Sequence, residues 1–428
     1  MGEAFDRHTV QSYSPGRLGN AVHREYGLNQ PVACSALQQS LPASGIAKEA
    51  CEENSPDRAG IVIAGVHCWG ESILEQVCPR PLLPIMGRPL ISYGLEWMRS
   101  GGVHSATICA NCQTPGIRAH LGDGQLVDMA LDYYEDLMPR GPAGCLRDAA
   151  LNSNARTFVV VDGSIVPLID LEALLEAHAA SGAALTVVVQ GPVRGSDTGH
   201  RPLEPVGIYV ASRSVVEHIP QNGYQDIKQA IIPRLYESGL RVVPHIVPGP
   251  RTLRVTGAAS YVTVAGRMVE YAAGTDDQSG EYQRIGQALV HRSANLEPKA
   301  KLLGQVIIGP DCWIGNGAMI VGPTSLGSGC VVESHAVVTR SVIWSDCRIG
   351  RGAFVDRCIL VDGAEVEREL VARETIWLPA DVRPRGLYDR AGSIHSLMSR
   401  IPQKARGSIP GSLPVAFEPV STTFISRR

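Results

Sequence analysis

The chain has 428 residues, enough for two or three domains that each bury a core. With 39 Lys and Arg against 42 Asp and Glu its formal net charge is −3, which removes any electrostatic case for nucleic acid or an anionic membrane surface as partner. No stretch approaches the roughly 18 unbroken apolar residues of a membrane span, and no early segment reads as a secretory signal, so the expectation is a cytoplasmic protein.

Residues 1–59 are polar, rich in Ser, Pro, Gly and Gln, and read as a disordered leader with one short helix near residues 35–53. From 60 to 275 strand-like and helical runs alternate: "IVIAG", "LISYGLEWMRSGG", "SATICAN", "FVVVDG", "DLEALLEAHAASG", "ALTVVVQ", "VGIYV" and "DIKQAIIPRLYESG". Such alternation predicts a doubly wound, Rossmann-like α/β domain with a largely parallel sheet and a site at the carboxyl ends of its strands. The 11 cysteines recur in apolar patterns, as reduced thiols packing like small hydrophobes do. Cys109 and Cys112 form one CxxC with no second pair at metal spacing, so no zinc site is expected.

Across 276–379 the period changes. Aliphatic residues recur every six positions, at Leu296, Leu302, Ile308, Ile314, Ile320, Leu326, Val332 and Val338, then after one five-residue step at Ile343, Ile349, Val355 and Val361. The position four residues after each is mostly small, as at Ala300, Val306, Cys312, Ala318, Thr324, Cys330, Ala336, Val342, Cys347 and Ala353. One inward aliphatic per short strand and three faces per coil produce this pattern, so the segment is read as a left-handed hexapeptide β-helix. Gly309, Gly315, Gly327 and Gly350, each just after an aliphatic, are expected to serve turns of unusual φ. Residues 380–428 carry eight basic and three acidic side chains among Pro, Ser and Gly, and read as a flexible basic tail.

An α/β domain that opens with "AG" and a loop, continues "CPRPLLPIMGRPLISYGLEWMRSGGV" and precedes a hexapeptide helix resembles the sugar-1-phosphate nucleotidyltransferases, or NDP-sugar pyrophosphorylases, in their mannose-1-phosphate guanylyltransferase-like branch. Further matching pieces are "IRAHLGDG", "PRGPAGCLRDAA", "FVVVDGSIVPLIDLEALLEAH" and "DIKQAIIPRLYESGLRV". The resemblance covers residues 61 to 378 and implies a reaction in which a sugar-1-phosphate attacks the α-phosphate of an NTP and pyrophosphate leaves. That chemistry calls for a cradle of N–H groups, Mg²⁺ on carboxylates and a lysine at the transferring phosphate.

Measured against the family pattern, most of this equipment is altered. The glycine-rich phosphate loop falls on Gly65, Val66, His67, Cys68, Trp69 and Gly70, where only the first glycine survives and the arginine is Gly70. β-Branched Val66 and bulky Trp69 close the conformations glycine allows, so this loop does not wrap a triphosphate; His67 and Trp69 either fill the vacated pocket or stack on a base or sugar. The lysine of "PKP" is Arg80. The Mg²⁺ aspartate of "NGD" is Ser164, with Asp162 two residues earlier, and the second Mg²⁺ aspartate is Arg254, when Ser260 and Tyr261 are aligned. Only 21 positions separate Thr186 from Gly207, roughly half of what the family spends there, and its Glu-Lys-Pro sugar clamp is missing. Glu204 and Arg201 are surface-loop residues that offer the sugar a contact, and Arg88 in "GRP" reads either as a family residue or as a solvated turn arginine.

The nucleotide side keeps more, since Gly65, Gly141, Ala143, Gly144 and Asp123 hold family positions. Two readings follow. In the first the chain is a non-catalytic or regulatory member that binds a nucleotide sugar or sugar phosphate and assembles with itself or with an active paralogue, and no cofactor is expected. In the second it is an active nucleotidyltransferase with a site rebuilt on Asp162, Arg80 and Asp170, using Mg²⁺. A remote third is a hexapeptide acyltransferase with His335 as base.

Overall fold

The computed structural model describes residues 57–65, 73–111, 114–135, 140–191, 203–248, 251–274, 280–380 and 413–416. The leader up to residue 56, the loop from Val66 to Gly70, Cys112, Arg201 and most of the basic tail lie outside these residues. No helix among them is long and apolar enough to cross a membrane.

The chain opens with β1 (Arg58–Ile63), α1 (Ile73–Val77), the short pair β2 (Pro84–Ile85) and β3 (Arg88–Pro89), then α2 (Leu90–Ser100), β4 (Ser105–Ala110), α3 (Thr114–Leu121) and β5 (Ala130–Glu135). It continues through α4 (Gly141–Leu151), β6 (Thr157–Asp162), β7 (Ile165–Pro167), α5 (Leu171–Ser181), β8 (Leu185–Gly191), β9 (Glu204–Ser212), α6 (Ile232–Glu237), β10 (Val242–Pro248), β11 (Thr252–Arg254) and α7 (Ala258–Ala273). Seven strands form one sheet in the order β10-β8-β9-β6-β1-β4-β5, in which β9 alone runs antiparallel to both neighbours. Alternate side chains leave opposite faces of a strand, and here both faces are apolar. Val62, Ile108, Val159 and Val161 meet α2, α3 and α5, while Ile61, Phe158 and Val160 meet α4 and the helical segment from Ile227 to Leu235. Burying each such side chain contributes about 1.5–3 kcal/mol.

Local signals place the helix ends. Asp170 Oδ1 accepts from the N–H groups of Glu172 and Ala173 at 2.9 and 3.2 Å and so caps α5, which stops at Gly182 with φ 62°. His178 of α5 is buried and satisfied by Thr186 Oγ1 at 2.8 Å and Ser212 Oγ at 3.1 Å. Arg88 is also buried, paired with Glu96 and lying 5.0 Å above the Tyr93 ring, so it is a packing residue and no solvated turn arginine.

The second part is a three-faced parallel β-helix of one eight-stranded and two five-stranded sheets. Ile308, Ile314, Ile320, Leu326, Val332, Val338, Ile343, Ile349 and Val355 line its interior, with Cys312, Ala318, Cys330, Ala336, Cys347 and Ala353 as the small partners, as the six-residue period predicts. Two positions depart from it. Partners on successive coils are 18 residues apart at Ile308↔Leu326 but 17 apart at Leu326↔Ile343, Ile343↔Leu360 and Leu360↔Trp377. The residue is lost at one corner, where Arg340, Arg357 and Glu374 take φ of 47°, 51° and 48°. The interior aliphatic after Val355 is therefore Leu360, and Val361 faces outward. Likewise Ser341 turns into the helix, where its Oγ accepts from Cys358 N at 3.0 Å, and Val342 faces outward.

The glycines also act differently from expectation. Positive φ belongs to Gly317, Gly329 and Gly352, two residues further on, and not to Gly309, Gly315, Gly327 or Gly350. At those four the next coil passes too close for a side chain: a Cβ on Gly327 would lie 2.8 Å from the Trp344 carbonyl carbon and 2.9 Å from Ser345 N. Gly327→Ala is expected to lower stability by about 1–3 kcal/mol in urea unfolding, because rigid backbone must shift; an unchanged midpoint would refute that account.

The outward side of the eight-stranded face packs on the α/β domain. Val342, Trp344, Ile359, Val361, Ile376 and Leu378 form one apolar cluster with Leu83, Ile85, Tyr261, Val264 and Met268. Of the tail, Leu413–Ala416 adds an antiparallel strand beside Thr375–Leu378 at the end of this face, an ordered piece in a segment read from composition as flexible.

Candidate functional site

In open α/β sheets ligands bind where chain order reverses at the carboxyl ends of strands. Here that point lies between β1 and β6, whose last residues Ile63 and Asp162 are paired. Gly163 N donates to Ile63 O at 2.9 Å, which holds the turn after β6 against the end of β1. The antiparallel pairing of β11 with β7 sets Arg254 opposite Ile165, and so brings it to Asp162 across 92 residues of sequence.

Asp162 accepts three hydrogen bonds from two residues. Its Oδ1 accepts from Ser164 N at 2.9 Å and from Ser164 Oγ at 2.6 Å, and its Oδ2 accepts from Arg254 Nη1 at 2.9 Å. Arg254 Nη2 donates to Val206 O at 3.0 Å. Gly207, with φ 86°, leaves room for the guanidinium, since a Cβ there would overlap Arg254 Nη2 and come within 2.9 Å of Ile165 Cδ1. Tyr209 lies under this pair; burial pushes its phenol well up, the carboxylate of Asp226 adds to this and Arg254 opposes it.

The remaining predicted residues are dispersed. Arg80 is held by Glu75, with Nε 2.7 Å from Oε1, so its charge is balanced inside its own segment. Burial, with the carboxylate of Asp362 adding, pushes the thiol of neighbouring Cys78 up to about 12. The backbone N–H groups of Ala64 and Gly65 both donate to Cys109 O, at 2.8 and 3.1 Å, so the start of the loop offers them to no phosphate. Gly141, Ala143 and Gly144 are buried in the first turn of α4, where Ala143 N donates to Gln225 O at 3.1 Å and Gln225 N to Arg140 O at 2.7 Å. A Cβ would lie 2.5 Å from Gln225 O at Gly141, which also has φ 73°, and 2.5 Å from Arg140 Cβ at Gly144, so backbone conformation and packing account for the two glycines.

Asp123 sits in an exposed turn before β5, where its carbonyl accepts from Leu131 N at the amino end of the sheet, the end opposite to Asp162. Asp170 is spent as the cap of α5. Glu204 begins β9, paired with Gln190. Cys109 lies in the sheet core. His335 stands exposed at a β-helix turn with φ 61°.

The chemistry of the cluster can be tested against the magnesium ion that the resemblance implies. Mg²⁺ requires near-octahedral oxygen donors at about 2.0–2.1 Å. Among the described residues the only carboxylate of the cluster is Asp162, both oxygens of which already accept hydrogen bonds, and the guanidinium 2.9 Å away places a positive charge there. Among the described residues no group of three or more His, Cys, Asp or Glu side chains is arranged to hold a metal. These residues do not fit the ion. Arg254, which the resemblance puts where the second Mg²⁺ aspartate would stand, is held by Asp162, a pairing that its positive charge alone could have signalled.

Comparison with known proteins agrees with the architecture. Residues 74–198 match the family described as "Nucleotidyl transferase", and residues 284–382 match "GMPPB C-terminal domain". The chain is 25% identical over 280 residues to the mannose-1-phosphate guanylyltransferase of Mycobacterium tuberculosis, covering 60% of this chain and 77% of that protein. It is 25% identical over 384 residues to the UTP–glucose-1-phosphate uridylyltransferase of Synechocystis, covering 76% and 94%. It is 27% identical over 296 residues to the bifunctional protein GlmU of Geobacter metallireducens, covering 61% of this chain and 59% of that protein.

Proposed function

Because the chain belongs to the sugar-1-phosphate nucleotidyltransferase family, we propose that it serves nucleotide-sugar supply as a non-catalytic member, binding a nucleotide sugar or sugar phosphate and acting through itself or an active paralogue as partner. The observation that carries this reading is the ion pair of Arg254 with Asp162 at the carboxyl end of β6. Phosphoryl transfer of this type draws its acceleration from positioning and from cations that neutralise developing charge. A guanidinium locked onto the one carboxylate of the cluster removes the anchor for such a cation. The N–H groups at the end of β1 are spent on Cys109, which removes part of the cradle as well. Each loss costs a few kcal/mol at one transition state, and about 1.4 kcal/mol is tenfold in rate.

The test is pyrophosphorolysis and forward synthesis by the purified chain with Mg²⁺, over GDP-, UDP- and dTDP-sugars, with and without an active paralogue. The expected result is no turnover above background by the chain alone. Magnesium-dependent turnover that disappears in Asp162→Asn would overturn the proposal and establish a rebuilt active site in its place.

A further inference from the structure

We infer that Arg254 is a tethered cation standing in for a divalent metal, and that through it the site holds the diphosphate of a nucleoside diphosphate sugar without any metal. This inference rests on the non-catalytic reading above and specifies how such a site would still bind. Three features carry it. The guanidinium is fixed in place rather than loose, by Asp162 Oδ2 on Nη1 and Val206 O on Nη2. It lies against the backbone at Gly207, which at φ 86° carries no side chain to displace it. Its side chain remains 39% exposed, and Nε has no hydrogen-bond partner among the described residues, so one edge of the plane stays open to a ligand.

A guanidinium is suited to this role, because it stays charged at any working pH and presents several N–H donors in one plane to phosphate oxygens. It differs from Mg²⁺ in two ways with consequences. It cannot follow a phosphoryl group in motion, which suits binding without turnover. It also needs no chelatable ion, so affinity should be indifferent to EDTA. Asp162 then acts as the positioning residue for Arg254 and, being a carboxylate, also opposes the incoming anion.

Calorimetric titration with inorganic pyrophosphate, GDP-mannose and UDP-glucose, each in EDTA and in Mg²⁺, tests the idea. At least one probe should bind with the same affinity in both buffers. Arg254→Gln should weaken that probe by about tenfold or more, equivalent to about 1.4 kcal/mol, and Arg254→Lys should weaken it by a smaller factor. Both variants are judged only after circular dichroism and melting show a native fold; should Arg254→Gln not fold, Arg254→Lys, which keeps charge and loses the planar fork, must show the weakening. The inference is overturned if binding needs Mg²⁺, if Arg254→Gln binds as well as the unaltered chain, or if no probe binds saturably. The two readings fail separately. Turnover would sink the non-catalytic function while leaving EDTA-indifferent, Arg254-dependent binding to be judged by itself, and Mg²⁺-dependent binding without turnover would do the reverse.

Discussion

Replacement of Ile314 by aspartate is expected to abolish recovery of folded protein. Ile314 is fully buried within the β-helix, paired on its strand with Leu296 on one coil and Val332 on the next. Its interior neighbours are aliphatic side chains and small residues such as Cys312 and Ala318, with no cation among them. An unpaired carboxylate there costs several kcal/mol, and relief by protonation still leaves a polar group without partners. Domain stabilities are only about 5–15 kcal/mol, and each coil is held by its neighbours, so damage in one coil spreads to the stack. Soluble yield, circular dichroism and melting of Ile314→Asp, with Ile314→Val as a control expected to lose only about 0.5–1.5 kcal/mol, decide the matter. A well-folded aspartate variant would refute the interior assignment.

Tyr261→Ala is the second large effect, and it should act on the junction of the two domains. Tyr261 is fully buried on α7, donates through its hydroxyl to Pro84 O, and accepts from Trp344 Nε1 at 3.0 Å. It therefore joins the segment after Arg80 to the outer face of the β-helix. Truncation of a buried aromatic costs about 3–5 kcal/mol. Tyr261→Phe keeps the ring and removes only the hydroxyl, which leaves the Trp344 N–H without its acceptor at a cost of about 1–3 kcal/mol. In urea unfolding, followed by tryptophan fluorescence and by calorimetry, the alanine variant should lose the larger amount and separate the two domains into distinct transitions. Equal losses in the two variants would show that the hydroxyl bridge, and not the packed ring, couples them.

The β-helix was legible from sequence because each coil writes its own instruction: an aliphatic every six residues decides locally which side chain points inward. The same rule misplaced Val342 and Val361: the shortening at Arg340 shows in the aliphatic pattern as the five-residue step to Ile343, but the next one, at Arg357, is hidden because aliphatic Val361 directly follows Leu360. The glycines after each aliphatic were recognised but misread. Their cause is the approach of the neighbouring coil at Gly309 and Gly327, a contact between chain segments roughly one turn apart.

At the site, the resemblance implied that Ser164 and Arg254 stand where the family has its magnesium carboxylates. It did not show where those side chains go. Asp123, which the resemblance put on the nucleotide side, lies at the amino end of the sheet, and Arg88, read either as a family residue or as a solvated turn arginine, is buried on Tyr93. By itself the sequence determined the two-part architecture, because periodicity is written locally along the chain. Only the tertiary structure decided that Arg254 closes on Asp162, because that contact depends on the pairing of β11 with β7 and on the space left at Gly207, both set by segments far apart in the chain.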